Sequence, residues 1–200
     1  MCPLVEMQFN DFVASGFNQV VNNAAKLYYR TGLECPMVIR IPWGGLRSAG
    51  PYHSQDTSPW FYRSPGLKIV APSTPHDARG LLMAAALDRG PVLFYEHIAL
   101  YRNPSIKQTL AEESCLVEIG KAAFRQLGHD LTILTYGAYA HRVNEKVEFL
   151  RQTQGIECDL IDLRTLMPID WDAISASLRR THKVLLVGED SRSGRILESI

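Results

Sequence analysis

No Cys-x-x-Cys pair occurs in these 200 residues; the four cysteines, Cys2, Cys35, Cys115 and Cys158, are scattered along the chain. That spacing excludes both a zinc ribbon and a compact disulfide framework, and it reads as isolated thiols in a reducing compartment. There is no charge excess of either sign, with 21 Lys plus Arg against 21 Asp plus Glu. A general nucleic-acid or membrane-surface binder, which carries a basic excess, is therefore excluded, although a few local charges or backbone amides can still hold a phosphate. No apolar run approaches the ~20 residues of a membrane span. The stretch "MCPLVEMQFND" lacks the basic region and apolar segment of a signal peptide. No P-loop, no G-x-G-x-x-G after a strand, no G-x-S-x-G elbow and no histidine pair at zinc spacing is found. Spacing alone identifies no reaction.

What is present is ordinary for a globular chain: 46% hydrophobic and 21% charged residues, enough for one large domain or two modest ones. "PLVEMQF" has strand character. In the segment after it, Val13, Phe17, Val20, Val21, Ala24 and Tyr28 share one helical face. Asn10 or Asp11 is suited to cap that helix and Gly32 to end it. Its other face carries Asn18, Gln19, Asn22 and Asn23, amides that favour an interface over a solvated surface. "PMVIRI", "LKIVAP" and "PVLFYE" read as buried strands. Thr74, Pro75 and Asp77 set up the N-terminus of a helix with Ala78, Leu81, Leu82 and Ala85 inward, and Gly90 stops it.

From about Ile98 to Glu118 periodicity fails, which predicts a linker. It resumes in "DLTILTYG", a helix with Ala140, Val143, Val147 and Leu150 on one face, the single strand "ECDLIDLRTL", a helix with Trp171, Ile174 and Leu178 inward, and the strand "KVLLVGED". Strands that are continuous apolar runs, alternating with helices, predict a parallel α/β fold in two units. The first strand so near the start, and a helix only beginning at the end, suggest a fragment or a chain completed by a partner.

Ligands of open parallel sheets bind beyond the carboxyl ends of strands. The long stretch Pro42 to Gly66 follows such an end and carries "GPYHSQ". His53 is either a surface-loop histidine or a proton-transfer group. Ser54 and Gln55 can orient its ring, and Gly44, Gly45 and Gly50 let backbone approach a ligand. Phe12 reads as a core residue that could also offer a flat face to an aromatic ligand. His97, at a strand end, is a second site candidate. His76, His141 and His182 read as surface residues. Asp88 is a local turn partner or, alternatively, part of an oxygen-ligated cation site.

Several segments together resemble a known family. "EMQFNDFVASGFNQVVNNAAKLYYRTG", "VIRIPWGG", "YHSQ", "PGLKIVAPSTPHDARGLL" and "GPVLFYE" are similar to the β subunit, or β half, of thiamine-diphosphate-dependent 2-oxoacid dehydrogenases. "DLTILTYGAYAHRV" and "IDLRTLMPIDWDAI" resemble the start of its transketolase-type C-terminal domain. The resemblance implies a pyrimidine-binding domain over residues 1–102, a linker over 103–126 and a transketolase C-terminal-like domain over 127–200, both domains incomplete. It implies decarboxylation of a 2-oxoacid on thiamine diphosphate and acyl transfer to the lipoyl arm of a dihydrolipoyl acyltransferase. It further implies an α partner that holds the diphosphate and magnesium, usually in an α2β2 assembly, in the cytoplasm or, in a eukaryote, the mitochondrial matrix.

Carried over residue by residue, the resemblance gives Phe12 the stacking position on the aminopyrimidine and His53 the active-site position of the "HSQ" motif. Met37, Ala85, Asp88 and Gly90 match a structural potassium site of some members, with Gly90 replacing an asparagine often found there. The family's catalytic glutamate lies upstream of "PLVEMQF", and Glu6 is not its equivalent, so the chain by itself is expected to bind thiamine diphosphate poorly. "PWGG" with "YHSQ" leans toward branched-chain substrates. Two alternatives stand beside this reading: a transketolase-like carboligase, and a non-catalytic β-type assembly module.

Overall fold

The computed structural model describes residues 1–110 and 115–200, so residues 111–114 of the expected linker lie outside the described residues. In chain order the elements are β1 (Leu4–Glu6), β2 (Met37–Trp43), β3 (Lys68–Val70), β4 (Pro91–His97), β5 (Ala123–Gln126), β6 (Leu131–Thr135), β7 (Cys158–Asp162), β8 (Thr165–Met167) and β9 (Val184–Leu186). The helices are α1 (Leu27–Thr31), α2 (Ser58–Tyr62), α3 (Pro75–Leu87), α4 (Tyr139–Gln154) and α5 (Trp171–Thr181).

Two sheets result. The first runs β1-β2-β4-β3-β8, parallel except for β8; the second runs β5-β7-β6-β9, parallel except for β5. The central strands β2 and β4 are almost wholly buried, as the apolar runs predict. Ile39, Ile41, Trp43, Leu93 and Tyr95 of the first sheet share one core with Leu134, Tyr136, Ile161 and Leu166 from the other half of the chain.

The single strand expected over "ECDLIDLRTL" is two. β7 pairs in the second sheet and β8 turns back antiparallel onto β3 in the first. The break falls at Arg164, whose φ is 53°. Its backbone carbonyl accepts from Ala71 N at 2.7 Å, and its guanidinium donates to Asp77 at 2.8 Å and to the carbonyls of Lys121 and Ala122 at 3.0 Å. Those bonds hold a kink that an apolar pattern cannot register. Residues 123–126, expected as linker, form β5 against β7.

The first helix also departs from its expected regularity. A 3₁₀ segment covers Asn10–Gly16 and a π segment Gln19–Ala24, with α-helical pitch at 17–18 and over Leu27–Thr31. Val13, Val20 and Val21 are buried as their spacing predicts, but Tyr28 at the far end is exposed, because the changes of pitch rotate it away. Gly32 does end the helix, in the left-handed conformation. Asn10 and Asp11 do not cap it; their side chains are spent on the loop that follows β2. The amides Asn18, Gln19, Asn22 and Asn23 are exposed and bond along the helix, Asn22 to Asn18 and Asn23 to Gln19.

The expected cap of α3 is present: Thr74 accepts from Asp77 N at 3.1 Å, with Pro75 opening the helix. α5 buries Ile174 and half-buries Leu178, whereas Trp171 is half-exposed, because it sits at the first helical position just after the Asp170 cap.

Candidate functional site

The carboxyl ends of β2 and β4 meet the stretch from Gly44 to Ser58. His53 lies there, half-buried, with Phe9 and Phe12 set edge-to-face against its ring at centroid distances of 4.5 and 5.6 Å. The structure therefore brings Phe12 and His53 together. Phe12 is not the core residue that its place in the helix suggested: it is 52% exposed, an aromatic surface open to a ligand.

The neighbours of Phe12 hold the histidine loop. Asn10, fully buried, accepts from Thr57 N at 2.8 Å and donates to Gln55 O at 3.1 Å. Asp11 accepts from both the backbone and the side-chain amide of Gln55, at 3.2 and 2.9 Å. Two consecutive side chains thus read the backbone just past His53. Their register sets where Phe12 and His53 sit relative to each other.

Beneath that loop lies Asp56. Its carboxylate accepts from Ser58 N at 2.8 Å and from the Tyr136 hydroxyl at 2.9 Å. Burial pushes its pKa up to about 7, a trend that nearby Asp190 reinforces and the bonds from Ser58 and Tyr136 oppose. Burial likewise raises Tyr136, with Asp56 beside it.

His97, the second candidate, is buried at the end of β4. Its ring meets Trp43 at 4.7 Å, and its Nε2 lies 2.8 Å from the Glu189 carboxylate. Burial raises the Glu189 pKa, but the bonds from His97 and from the backbone N–H of Gly45 outweigh it and leave it lowered. Glu189, Asp56 and Asp190 border a cleft of about 770 Å³ with Ser54, Gln55 and Arg63. Sequence reasoning missed Glu189 and Asp56. For Glu189 the available signal was "VGED", two acids, Glu189 and Asp190, directly beyond the carboxyl end of a strand.

The remaining candidates lie elsewhere. Met37 opens β2, Ala85 is buried in α3, Asp88 caps the end of that helix and Gly90 precedes β4. The Asp88 carboxylate accepts from Lys68 Nζ at 2.6 and 2.7 Å and from Gly90 N at 2.8 Å, so it acts as a turn partner and already faces an ammonium. His76 is exposed at the side chain and His182 is exposed. His141 is not a free surface group: its Nε2 donates to Ser73 O at 2.6 Å.

Comparison with known proteins gives a consistent picture. Residues 1–104 match the family described as transketolase, pyrimidine binding domain, and residues 120–200 match transketolase, C-terminal domain. The chain is 44% identical over 202 residues to the 2-oxoisovalerate dehydrogenase subunit beta of Bacillus subtilis (strain 168), covering 100% of this chain and 61% of that protein. It is 41% identical over 196 residues to the pyruvate dehydrogenase E1 component subunit beta of Porphyra purpurea, covering 97% of this chain and 58% of that one. The chain thus spans about three-fifths of the length of the curated relatives it matches. Among solved structures, a split gene transketolase described as an inactive beta4 tetramer superposes with a TM-score of 0.75 at 21% identity, over 98% of this chain and 58% of that one. That likeness concerns the fold.

Proposed function

Because the chain belongs to the transketolase pyrimidine-binding family, with a transketolase C-terminal domain following, we propose that it serves as the β component of a thiamine-diphosphate-dependent 2-oxoacid dehydrogenase. The observation that carries this reading is the pairing of an exposed Phe12 ring with His53 at the carboxyl end of β2. The residues fit the pyrimidine half of the cofactor: a half-exposed flat ring, a histidine beside it, and a loop fixed by two side-chain clamps.

When bound, thiamine diphosphate supplies the carbanion-stabilising chemistry, and the protein positions it and moves protons. Phe12 offers the stacking surface. His53 would face the substrate and the incoming lipoyl group, where its imidazole would stabilise charge and move a proton. An α partner, in an α2β2 assembly, would hold the diphosphate and its magnesium, and the lipoyl arm of a dihydrolipoyl acyltransferase would take up the acyl group. A potassium ion at Met37, Ala85, Asp88 and Gly90 would rest on backbone carbonyls, since the Asp88 carboxylate is engaged by Lys68.

The test is lipoyl acylation by the complete αβ assembly on a panel of pyruvate and branched-chain 2-oxoacids, with and without His53→Ala. The substitution is expected to lower acyl transfer by about 10²-fold or more while thiamine diphosphate affinity changes little. Unchanged acylation with collapsed cofactor affinity would remove His53 from this role. Carboligation without acyl transfer would favour the transketolase-like reading.

A further inference from the structure

We propose that Glu189 is a positioning residue for His53, delivered to the histidine loop by the C-terminal half of the chain. This rests on the reading of His53 given above. Glu189 follows β9 in the second sheet, yet its side chain bonds to two groups of the first: the backbone N–H of Gly45 and Nε2 of His97. The Nδ1 of His97 accepts from Ala99 N at 3.2 Å, so the ring's proton sits on Nε2 and is donated to Glu189. Both partners therefore donate, and the site calls for a group that accepts with two separate oxygens. A carboxylate does so; an amide of the same size offers one acceptor and presents N–H groups to the other donor.

The glycines are shaped to this contact. A Cβ on Gly44, whose φ is 93°, would overlap the His97 ring. A Cβ on Gly45 would lie 2.9 Å from Glu189 Oε1 and 3.8 Å from the Cβ of Ser54, the residue next to His53. Gly44 N also donates to Gln55 O at 3.4 Å. Glu189 thus anchors the Gly44–Gly45 turn, which lies against Ser54 and bonds to Gln55, while Asn10 and Asp11 hold Gln55 and Thr57. His53 is left between Phe9 and Phe12, its placement depending on both halves of the chain.

Glu189→Gln and Gly45→Ala test this in the complete αβ assembly, with two readouts. The first is the NMR resonances of the His53 ring, displaced by the ring currents of Phe9 and Phe12. The second is the split of kcat and KM for lipoyl acylation. Glu189→Gln is expected to remove most of that displacement and lower kcat by about tenfold to a hundredfold, with KM for the 2-oxoacid within about twofold, since misplacing His53 costs the acyl-transfer transition state rather than ground-state binding. Gly45→Ala, which crowds the carboxylate without touching its charge, is expected to act in the same direction. Should Glu189→Gln unfold, Gly45→Ala decides. Retention of the His53 displacement and of kcat in a folded variant would overturn the proposal. If the wild-type assembly transfers no acyl group, the functional reading fails, and the His53 resonances still decide the role of Glu189.

Discussion

At the scale of single residues, the exceptional group is Asp56. Its side chain is buried between Ser58 N and the Tyr136 hydroxyl, and its folded pKa of about 7 stands above the unfolded 3.8. The native state therefore holds a proton that the unfolded chain releases. The stability tied to that proton is fully present below about pH 4 and is lost as pH rises through 7. Asp56→Asn keeps the shape and removes the titration. Its melting temperature relative to wild type is expected to climb between pH 4 and 7 and to level off above, a gain on the order of 4 kcal/mol at full ionisation. Thermal melts of both proteins across that range check it; a difference independent of pH would contradict the assignment. Nothing in "SQDTS" announces this, because burial of an aspartate depends on which distant tyrosine covers it. His53 was legible as a loop histidine at a strand end. Phe12 was legible as an aromatic but misjudged as core, since the helix it opens changes pitch.

At the scale of elements, α3, β5 and the β7–β8 kink are tied together by ions. Asp77, in the first turn of α3, meets Arg125 of β5 and Arg164 before β8, and Arg125 also donates to the fully buried Asp162 at 2.7 Å, which Ser73 bonds as well. Burial raises the Asp77 pKa, but the two arginines overcome it and hold it at about 2. That contribution is present above the unfolded value of 3.8 and is lost as pH falls toward 2. Arg125→Met would leave Asp77 and Asp162 facing each other without the cation. It is expected to cost about 3–5 kcal/mol in urea unfolding at pH 7, with much of that difference gone by pH 2–3. A loss below about 1 kcal/mol would mean that Arg164 alone suffices. The sequence showed the cap of α3 in Thr74, Pro75 and Asp77, because capping is local. It did not show that the same Asp77 faces two arginines from the other half of the chain.

At the scale of the whole molecule, the two sheets share a core: Trp43 of β2 stacks on Tyr136 at 5.7 Å, and β8 crosses to β3. The two halves are therefore expected to unfold together. Urea transitions followed by far-ultraviolet and near-ultraviolet circular dichroism should coincide; two separated midpoints would show that the halves are independent. The sequence by itself determined the alternation of strands and helices, the burial of β2 and β4, the end of the first helix at Gly32 and the candidacy of His53, since each rests on periodicity, backbone conformation or motif order within a short window. Only the tertiary structure decided that β8 leaves its sheet, that Asn10 and Asp11 serve a loop rather than a helix cap, and that Glu189 reaches Gly45 across the chain. Those outcomes depend on contacts between residues 44 to 144 positions apart, and short-range pattern carries no information about such partners.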